Sequence, residues 1–170
     1  MFGRYHLTRI GPNSDTHDKL DSGVDKHFAN CDGLWQAGDY GTAKIADELK
    51  AFKPLRGVYG NIDGNDISSD YPETLSWACE GVKVSMIHIG GYPPKYNAKS
   101  KLLIQQEHPQ LFISGHSHIL KVMYDNSLHC LHMNPGAAGK HGWHAVRTII
   151  RFAIDGKDIK ECEIVELGKR

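Results

Sequence analysis

Short apolar runs alternate with amphipathic stretches through the first two-thirds of the chain. The apolar runs predict β-strands at residues 7–11, 34–37 and 55–59. Apolar residues at helical spacing predict a helix over residues 22–30, with Asp18 or Asp21 as its N-cap. A second helix begins after Thr42 and ends before Pro54. This alternation of strands and helices is typical of an α/β fold.

The later part of the chain carries mainly strand signals. Residues 74–80 and 82–87 flank Gly81 and predict a hairpin, and Asn97 begins a helix that ends before Pro109. Further strands are predicted at residues 111–114, 119–124, 128–133, 146–154 and 159–167. Strand–helix units followed by hairpins favour two packed sheets with helices on their outer faces. No linker interrupts the pattern, which predicts a single domain over residues 1–170.

The amino-acid composition indicates which class of protein this chain belongs to. The 170 residues are 40% hydrophobic and 24% charged, as in an ordinary globular domain. The formal net charge of +0 gives no sign of a nucleic-acid backbone or an anionic membrane as the main partner. Residues 1–6 lack the apolar segment of a secretion signal, and no stretch is long enough to span a bilayer. We therefore expect a cytoplasmic protein that does not bind membranes.

The four cysteines lie far apart and form no C-x-x-C pair: they are Cys31, Cys79, Cys130 and Cys162. This spacing argues against a zinc ribbon, a redox motif or a compact disulfide framework. Free thiols in a reducing compartment are the expectation.

Polar residues that can bind metals follow five of the predicted strands. They are Asp15-Thr16-His17, Gly38-Asp39, Gly60-Asn61, His88 and Gly115-His116-Ser117-His118. Ligand sites gather at the carboxyl ends of strands in such sheets, and glycine lets the backbone approach a ligand closely. Each motif alone is also typical of an ordinary turn or a half-buried histidine. Their convergence at five strand ends predicts a metal site.

The mixture of ligands indicates which metals fit. Carboxylate, imidazole and amide oxygen suit Mn²⁺, Fe²⁺, Zn²⁺ or Ni²⁺, and the absence of a thiolate disfavours a structural zinc site. Two metals about 3.5–4 Å apart need a bridging ligand, and the Asp39 carboxylate can bridge. Such a pair lowers the pKa of a shared water and screens the charge of a phosphoryl group.

The ordered set D-x-H, GD, GN-x-D, H and GH-x-H resembles the calcineurin-like metallophosphoesterases, in particular their small bacterial and archaeal phosphodiesterase branch. The resemblance covers nearly the whole chain, including the turn Asn134-Pro135-Gly136. It implies a four-layer α/β/β/α sandwich of two mixed β-sheets flanked by helices. It also implies two divalent metal ions, with Mn²⁺ preferred and Fe²⁺, Ni²⁺ or Zn²⁺ as alternatives.

The resemblance assigns roles to single residues. Asp15, His17 and His118 would hold one metal. Asn61, His88 and His116 would hold the other, with Asp39 bridging both. Asn61, His88 and Asp63 would take part in catalysis, and Asn61 and Ile62 would contact the substrate. Tyr92 is a further candidate for substrate contact, because its loop follows His88. The family's reaction is in-line attack of a metal-bound hydroxide on phosphorus, without a phosphoenzyme.

Two positions depart from the family pattern. Many members have a histidine where this chain has Ile62, and that histidine contacts the phosphoryl group or protonates the leaving group. Loss of a positioned acid commonly costs about 10²–10⁴-fold in rate. The other departure is Gly11-Pro12-Asn13 before Asp15. Because proline cannot donate to a central strand ladder, we expect the first strand to be shortened or distorted.

Other residues near the motifs are open to two interpretations. Tyr92 and Tyr96 follow His88 and either stack on a substrate ring or belong to an ordinary surface loop. His141 and His144 lie beyond the Asn134-Pro135-Gly136 turn, and either reach the cleft or do not.

The function predicted is hydrolysis of a small phosphorylated substrate. The missing acid histidine and the resemblance favour a phosphodiester over a phosphomonoester, and no arginine accompanies the ligands to neutralise the greater charge of a monoester. A non-catalytic scaffold with the same fold, like the retromer subunit of vacuolar sorting, is the alternative. All seven ligands are intact, which favours catalysis. A nuclease is disfavoured because the domain is small and neutral, so no extended nucleic acid is expected. The sequence leaves open whether the protein forms a homo-oligomer.

Overall fold

The computed structural model describes residues 7–170 and builds two five-stranded sheets from them. The strands of the first sheet are β1 (Thr8–Asn13), β2 (Gly33–Gln36), β3 (Leu55–Gly57), β11 (Val146–Asp155) and β12 (Asp158–Lys169). Their order across the sheet is β12-β11-β1-β2-β3. Strands β1, β2 and β3 are parallel to one another, whereas β11 is antiparallel to both β1 and β12. The sheet is therefore mixed.

The second sheet has the order β4-β5-β8-β10-β9. Its strands are β4 (Thr74–Cys79), β5 (Val82–Ile87), β8 (Leu111–Ile113), β9 (Lys121–Asp125) and β10 (Cys130–Asn134). Strand β8 is parallel to β5 and β10, and the outer pairs β4–β5 and β9–β10 are antiparallel. A separate two-stranded hairpin consists of β6 (Gly91–Tyr92) and β7 (Lys95–Tyr96).

The main core lies between the two sheets. Trp35 and Phe152 from the first sheet meet Met86 and Ile113 from the second, all of them buried. Trp77 of β4 packs edge-on against Trp35, with ring centroids 4.9 Å apart. Burial of such large apolar side chains is the main term holding the sheets together.

Helices cover the outer faces of both sheets. The helices are α1 (Val24–Phe28), α2 (Ala43–Phe52), α3 (Asn65–Ser68) and α4 (Ala98–Glu107). Phe28, Ile45 and Ile67 of the first three helices pack with residues of the first sheet, such as Leu34. Ile104 of α4 packs on the second sheet. The predicted four-layer α/β/β/α sandwich is confirmed. In residues 7–170 no helix is long and apolar enough to cross a membrane.

The first strand is neither shortened nor distorted, so that expectation was wrong. β1 runs through Pro12 to Asn13 and stays in parallel register with β2 over that stretch. Its antiparallel pairing with β11 ends at Ile10, which lies opposite Phe152. Pro12 therefore has a neighbouring strand on one side only, and the missing N–H interrupts no ladder on the other.

The predicted helix caps are partly confirmed. The Asn97 side chain accepts a hydrogen bond from the backbone N–H of Ser100, at 2.8 Å, as an N-cap does. Thr42 occupies the N-cap of α2, but its side chain makes no capping bond. The carboxylate of Asp66 accepts from the Ala43 N–H instead. Helix α1 is shorter than predicted because it begins only after Gly23.

Candidate metal centre

The metal-binding motifs meet where the parallel strands of both sheets end. Asp15 and His17 follow β1, Asp39 follows β2, and Asn61 follows β3. His88 follows β5 directly, and His116 and His118 follow β8. Parallel strands bring their carboxyl ends to one edge of a sheet, and the two sheets face each other across the core. The sequence therefore delivers all seven predicted ligands to one place.

Asp15, His17 and His118 form one compact group of ligand atoms, all within 4.8 Å of one another. The Nε2 atoms of His17 and His118 are 3.4 Å apart. Nε2 of His118 lies 3.2 Å from Oδ1 of Asp15, and Nε2 of His17 lies 3.8 Å from the same oxygen. Two imidazoles and a carboxylate thus converge on one point.

Asp39, His88 and His116 form a second group of the same size. Nε2 of His88 lies 3.2 Å from Oδ2 of Asp39. The amide oxygen of Asn61 lies 3.0 Å from the same imidazole nitrogen. The asparagine side chain therefore lies beside this group, and its role as a ligand stays a prediction.

The two groups adjoin each other through their carboxylates. Oδ2 of Asp39 is 3.8 Å from Nε2 of His17, which belongs to the first group. Oδ1 of Asp15 is 3.9 Å from Nε2 of His88, which belongs to the second. Asp39 is thus within reach of both groups, as a bridging ligand must be. Its bridging role stays a prediction.

The burial, hydrogen bonding and ionisation of Asp15 show that these residues fit a cation. Its side chain is fully buried. Oδ2 accepts hydrogen bonds from the Ser14 hydroxyl at 2.6 Å and the His116 backbone N–H at 3.1 Å. Oδ1 faces Nε2 of His118 and of His17 and finds no hydrogen-bond partner among residues 7–170. Burial opposes its ionisation, but the imidazoles of His118 and His17 hold the pKa of Asp15 well below its usual range. A buried, ionised oxygen without a hydrogen bond is costly unless a positive charge faces it.

Five of the seven predicted ligands have left-handed backbone conformations. They are Asp15 (φ 54°), His17 (φ 45°), Asp39 (φ 56°), His116 (φ 66°) and His118 (φ 58°). Non-glycine residues in this region cost about 1–3 kcal/mol each and persist only where the surrounding structure holds them. Such residues cluster at functional sites, so the backbone supports the same assignment as the side chains.

Hydrogen bonds behind the ligands fix which imidazole nitrogen faces the centre. Nδ1 of His88 lies 2.7 Å from the Ala37 carbonyl, to which it donates, so Nε2 keeps its lone pair. Nε2 of His144 donates to the Gly139 carbonyl at 2.9 Å. The other nitrogen of His144 then accepts from Nδ1 of His118 at 3.2 Å. His118 therefore also offers Nε2 to the centre.

The two histidines beyond the Asn134-Pro135-Gly136 turn both reach the cleft. His144 contacts His118 as described, and the His141 ring lies 5.2 Å from the His17 ring between centroids. The backbone of this turn is tied to the first ligand motif, since the N–H of Gly139 donates to the Asp15 carbonyl at 3.0 Å. Of the two interpretations of His141 and His144, the structure therefore supports the one in which they reach the cleft.

Asp63 lies outside both ligand groups. One carboxylate oxygen accepts from the Gly41 N–H at 2.9 Å, and the other accepts from the Gly60 N–H at 2.8 Å. Burial raises the pKa of its carboxyl group despite these bonds. Asp63 therefore holds the Asn61 turn against the turn after Asp39. Its catalytic role stays a prediction.

The residues predicted to contact substrate differ in position. Ile62 lies at the rim with 47% of its side chain exposed, and its backbone N–H donates to Asp39 at 3.1 Å. Tyr92 is exposed on the β6–β7 hairpin, where the Lys121 ammonium lies 3.9 Å from its ring centroid. Tyr96 faces inward and packs edge-on against Phe112, which favours the second of its two interpretations, a residue that does not stack on substrate.

We expect Gly38→Ala to displace His88 and to weaken metal binding by the second group. Gly38 has φ +96°, and an added Cβ would lie 2.5 Å from Nδ1 of His88. The substitution should also lower the thermal midpoint, and metal content per chain measures the loss. Gly23→Ala is the matched control, because its Cβ would meet nothing nearer than Asp21 Oδ1 at 3.7 Å. Equal metal content in both variants would contradict the expectation.

Metal affinity should fall as the pH is lowered. The Asp15 carboxylate raises the pKa of His17 above its ordinary value. Burial opposes protonation of His88, but Asp39 and Asp15 outweigh it and raise that pKa too. Protons therefore compete with metal at a higher pH than at ordinary histidines: affinity is full above the raised values and is lost as the pH falls through them. Calorimetric titration with Mn²⁺ between about pH 5 and 8 measures this. An affinity for Mn²⁺ that does not change over that pH range would contradict this expectation.

Comparison with known proteins places the chain among phosphoesterase-like folds. Residues 9–157 match the model of the calcineurin-like phosphoesterase superfamily domain. A probable metallophosphoesterase from Methanothermobacter thermautotrophicus is 27% identical over 166 residues, covering 94% of this chain and 92% of that protein.

Two solved structures share the fold. Vacuolar protein sorting 29 from Cryptosporidium parvum has a TM-score of 0.75 at 17% identity, covering 96% of this chain and 99% of its own. An archaeal phosphodiesterase has a TM-score of 0.72 at 20% identity, covering 94% of this chain and 100% of its own. At these identities the likeness shows the architecture alone.

Proposed function

This chain belongs to the calcineurin-like phosphoesterase superfamily, metal-dependent hydrolases of phosphoesters, and from that premise we propose that it is a phosphodiesterase working with two divalent metal ions. The observation that carries the proposal is the pair of adjoining three-residue ligand groups, with Asp39 within reach of both. Mn²⁺ is the preferred metal, since carboxylate, imidazole and amide ligands suit it.

Two cations bound there would lower the pKa of a shared water and neutralise charge on the phosphoryl oxygens. The protein's own part is to hold the ligands in place before substrate arrives. The backbone of Asp15 and Asp39 is fixed in a strained conformation. Asn61 turns its amide oxygen to His88, which leaves its NH₂ group on the exposed side. That group can donate to a phosphoryl oxygen.

Charge at the centre supports a diester rather than a monoester. A phosphodiester carries one negative charge at neutral pH, whereas a monoester carries nearly two. Within residues 7–170, the hydrogen-bond and ion-pair partners of the seven ligand side chains include no lysine or arginine. Ile62 offers no proton to a leaving group, which also disfavours esters with poor leaving groups.

Hydrolysis of bis-p-nitrophenyl phosphate by chelator-stripped protein, with and without added Mn²⁺, tests the proposal. We expect turnover only with metal, and faster turnover of this diester than of p-nitrophenyl phosphate. Faster hydrolysis of the monoester would refute the diester assignment. If protein that still binds metal showed no turnover with Mn²⁺, Ni²⁺ or Zn²⁺, the proposal that the protein is an enzyme would be refuted.

The second candidate function is a protein-binding scaffold, and one feature of the surface favours it. Edge strand β9 leaves Val122, Met123 and Tyr124 exposed, and exposed apolar edges commonly bind proteins. The fold is shared with a vacuolar protein sorting protein. The complete set of metal ligands favours the enzyme, and the assay above separates the two.

A further inference from the structure

Trp143 is an exposed aromatic residue beside the candidate metal centre. Its side chain is 100% exposed, so it adds nothing to the core. Its two neighbours in sequence both touch His118. An added Cβ at Gly142 would lie 2.1 Å from Nδ1 of His118, and His144 is hydrogen-bonded to the same atom. The loop that carries Trp143 is therefore packed against His118, one of the predicted metal ligands.

Cationic side chains surround Trp143. Two shallow concavities of about 490 and 470 Å³ share Trp143 and Arg170 in their walls. Lys140 and His141 line the first, and Lys169 lines the second. Among residues 7–170, no carboxylate side chain lines either one. The chain as a whole has a net charge of +0, so this is a local excess of positive charge next to an aromatic face.

Arg170 is held against the loop. Its backbone N–H donates to the Ala145 carbonyl at 3.2 Å, and its guanidinium donates to the Gly142 carbonyl. A guanidinium has five N–H donors, so most of them stay free for a ligand. His141, in the wall of the first concavity, packs beside the metal ligand His17. His141 therefore lies between the predicted metal ligand His17 and the concavity that Trp143 and Arg170 line.

We propose that Trp143, Lys140 and Arg170 form a subsite for a nucleoside group of the substrate, an inference that rests on the proposed phosphodiesterase function. The base stacks on the indole of Trp143, since every nucleobase offers an aromatic face. Lys140 and Arg170 attract further negative charge on the same substrate, as in a nucleotide with an additional phosphate. The substrate class is then a small nucleoside phosphodiester.

Tryptophan fluorescence reports binding at this subsite directly. Trp35 is 2% exposed and Trp77 packs against it, so Trp143 is the exposed indole among residues 7–170. Adenosine 5′-monophosphate, titrated into the Mn²⁺-loaded protein, should quench this emission to saturation, whereas ribose 5-phosphate should not. Trp143→Phe should remove the signal, and Arg170→Ala should weaken the binding.

Substrate preference gives a second readout. The p-nitrophenyl ester of thymidine 5′-monophosphate should be preferred over methyl p-nitrophenyl phosphate, which has the same leaving group and no base. Trp143→Ala should lower that preference about tenfold, mainly through KM. Tyr124→Ala, an exposed aromatic on β9, is the matched control and should leave it unchanged.

The outcomes separate the two proposals. Quenching by adenosine 5′-monophosphate in a protein that hydrolyses no ester would support the subsite and refute the phosphodiesterase. Diester hydrolysis with no quenching, and with equal preference in wild type and Trp143→Ala, would overturn the subsite and leave the phosphodiesterase standing.

Discussion

Asp39→Asn is expected to lose more than about 100-fold of the metal-dependent diesterase activity. Loss of a residue that merely supports a metal ligand typically costs about 10–100-fold, and Asp39 is within reach of both ligand groups. The amide keeps the shape of the side chain but not its negative charge. Metal content should fall in the same variant, because a carboxylate within reach of both ligand groups is lost. A rate assay measures the loss of activity, and elemental analysis of the dialysed protein measures the loss of metal.

A matched control separates this effect from a general loss of charge. Asp47 lies on the exposed face of α2, and Asp47→Asn should retain full activity and metal content. Circular dichroism should show that both variants are folded. Full activity in Asp39→Asn would contradict the assignment of Asp39 as a ligand.

Ile62→His is expected to raise the rate on unactivated esters by up to about 100-fold. The position lies at the rim of the centre, and its backbone is already held by Asp39. An imidazole there could protonate a leaving group that Ile62 cannot. Because the side chain is 47% exposed, the substitution should cost little stability. A p-nitrophenyl ester should gain much less, since its leaving group needs no proton.

Ile62→Gln is the control for polarity without a suitable acid. The ratio of rates on phenyl and p-nitrophenyl diesters, measured for both variants and wild type, isolates the proton transfer. If Ile62→His and Ile62→Gln gave the same ratio as wild type, the missing acid would not limit this enzyme.

The ligand positions could be predicted because each follows a strand whose apolar run is visible in the sequence. Asp39 and His88 end such runs, whereas Asp15 follows its strand after a polar stretch, and the carboxyl ends of parallel strands meet at one sheet edge. The spacing of the motifs therefore carries the geometry of the site. Asn97 was predicted as a cap by the same local logic, since capping involves residues only three apart.

Features that depend on distant neighbours could not be predicted. Pro12 is tolerated in a central strand because β11 pairs with β1 only as far as Ile10, which the local sequence does not reveal. Tyr96 turns inward because Phe112 packs beside it. Arg170 reaches Ala145 only because β11 and β12 pair along their length. The basic surface beside Trp143 thus arises from tertiary pairing, and net charge could not show it.

Anomalous diffraction at the manganese edge, from crystals grown with Mn²⁺, tests the central claim most directly. Two peaks are predicted for each chain. One should lie in contact with Asp15, His17 and His118, and the other with Asn61, His88 and His116, with Asp39 contacting both. A single peak, or peaks bound by other residues, would contradict the two-metal centre.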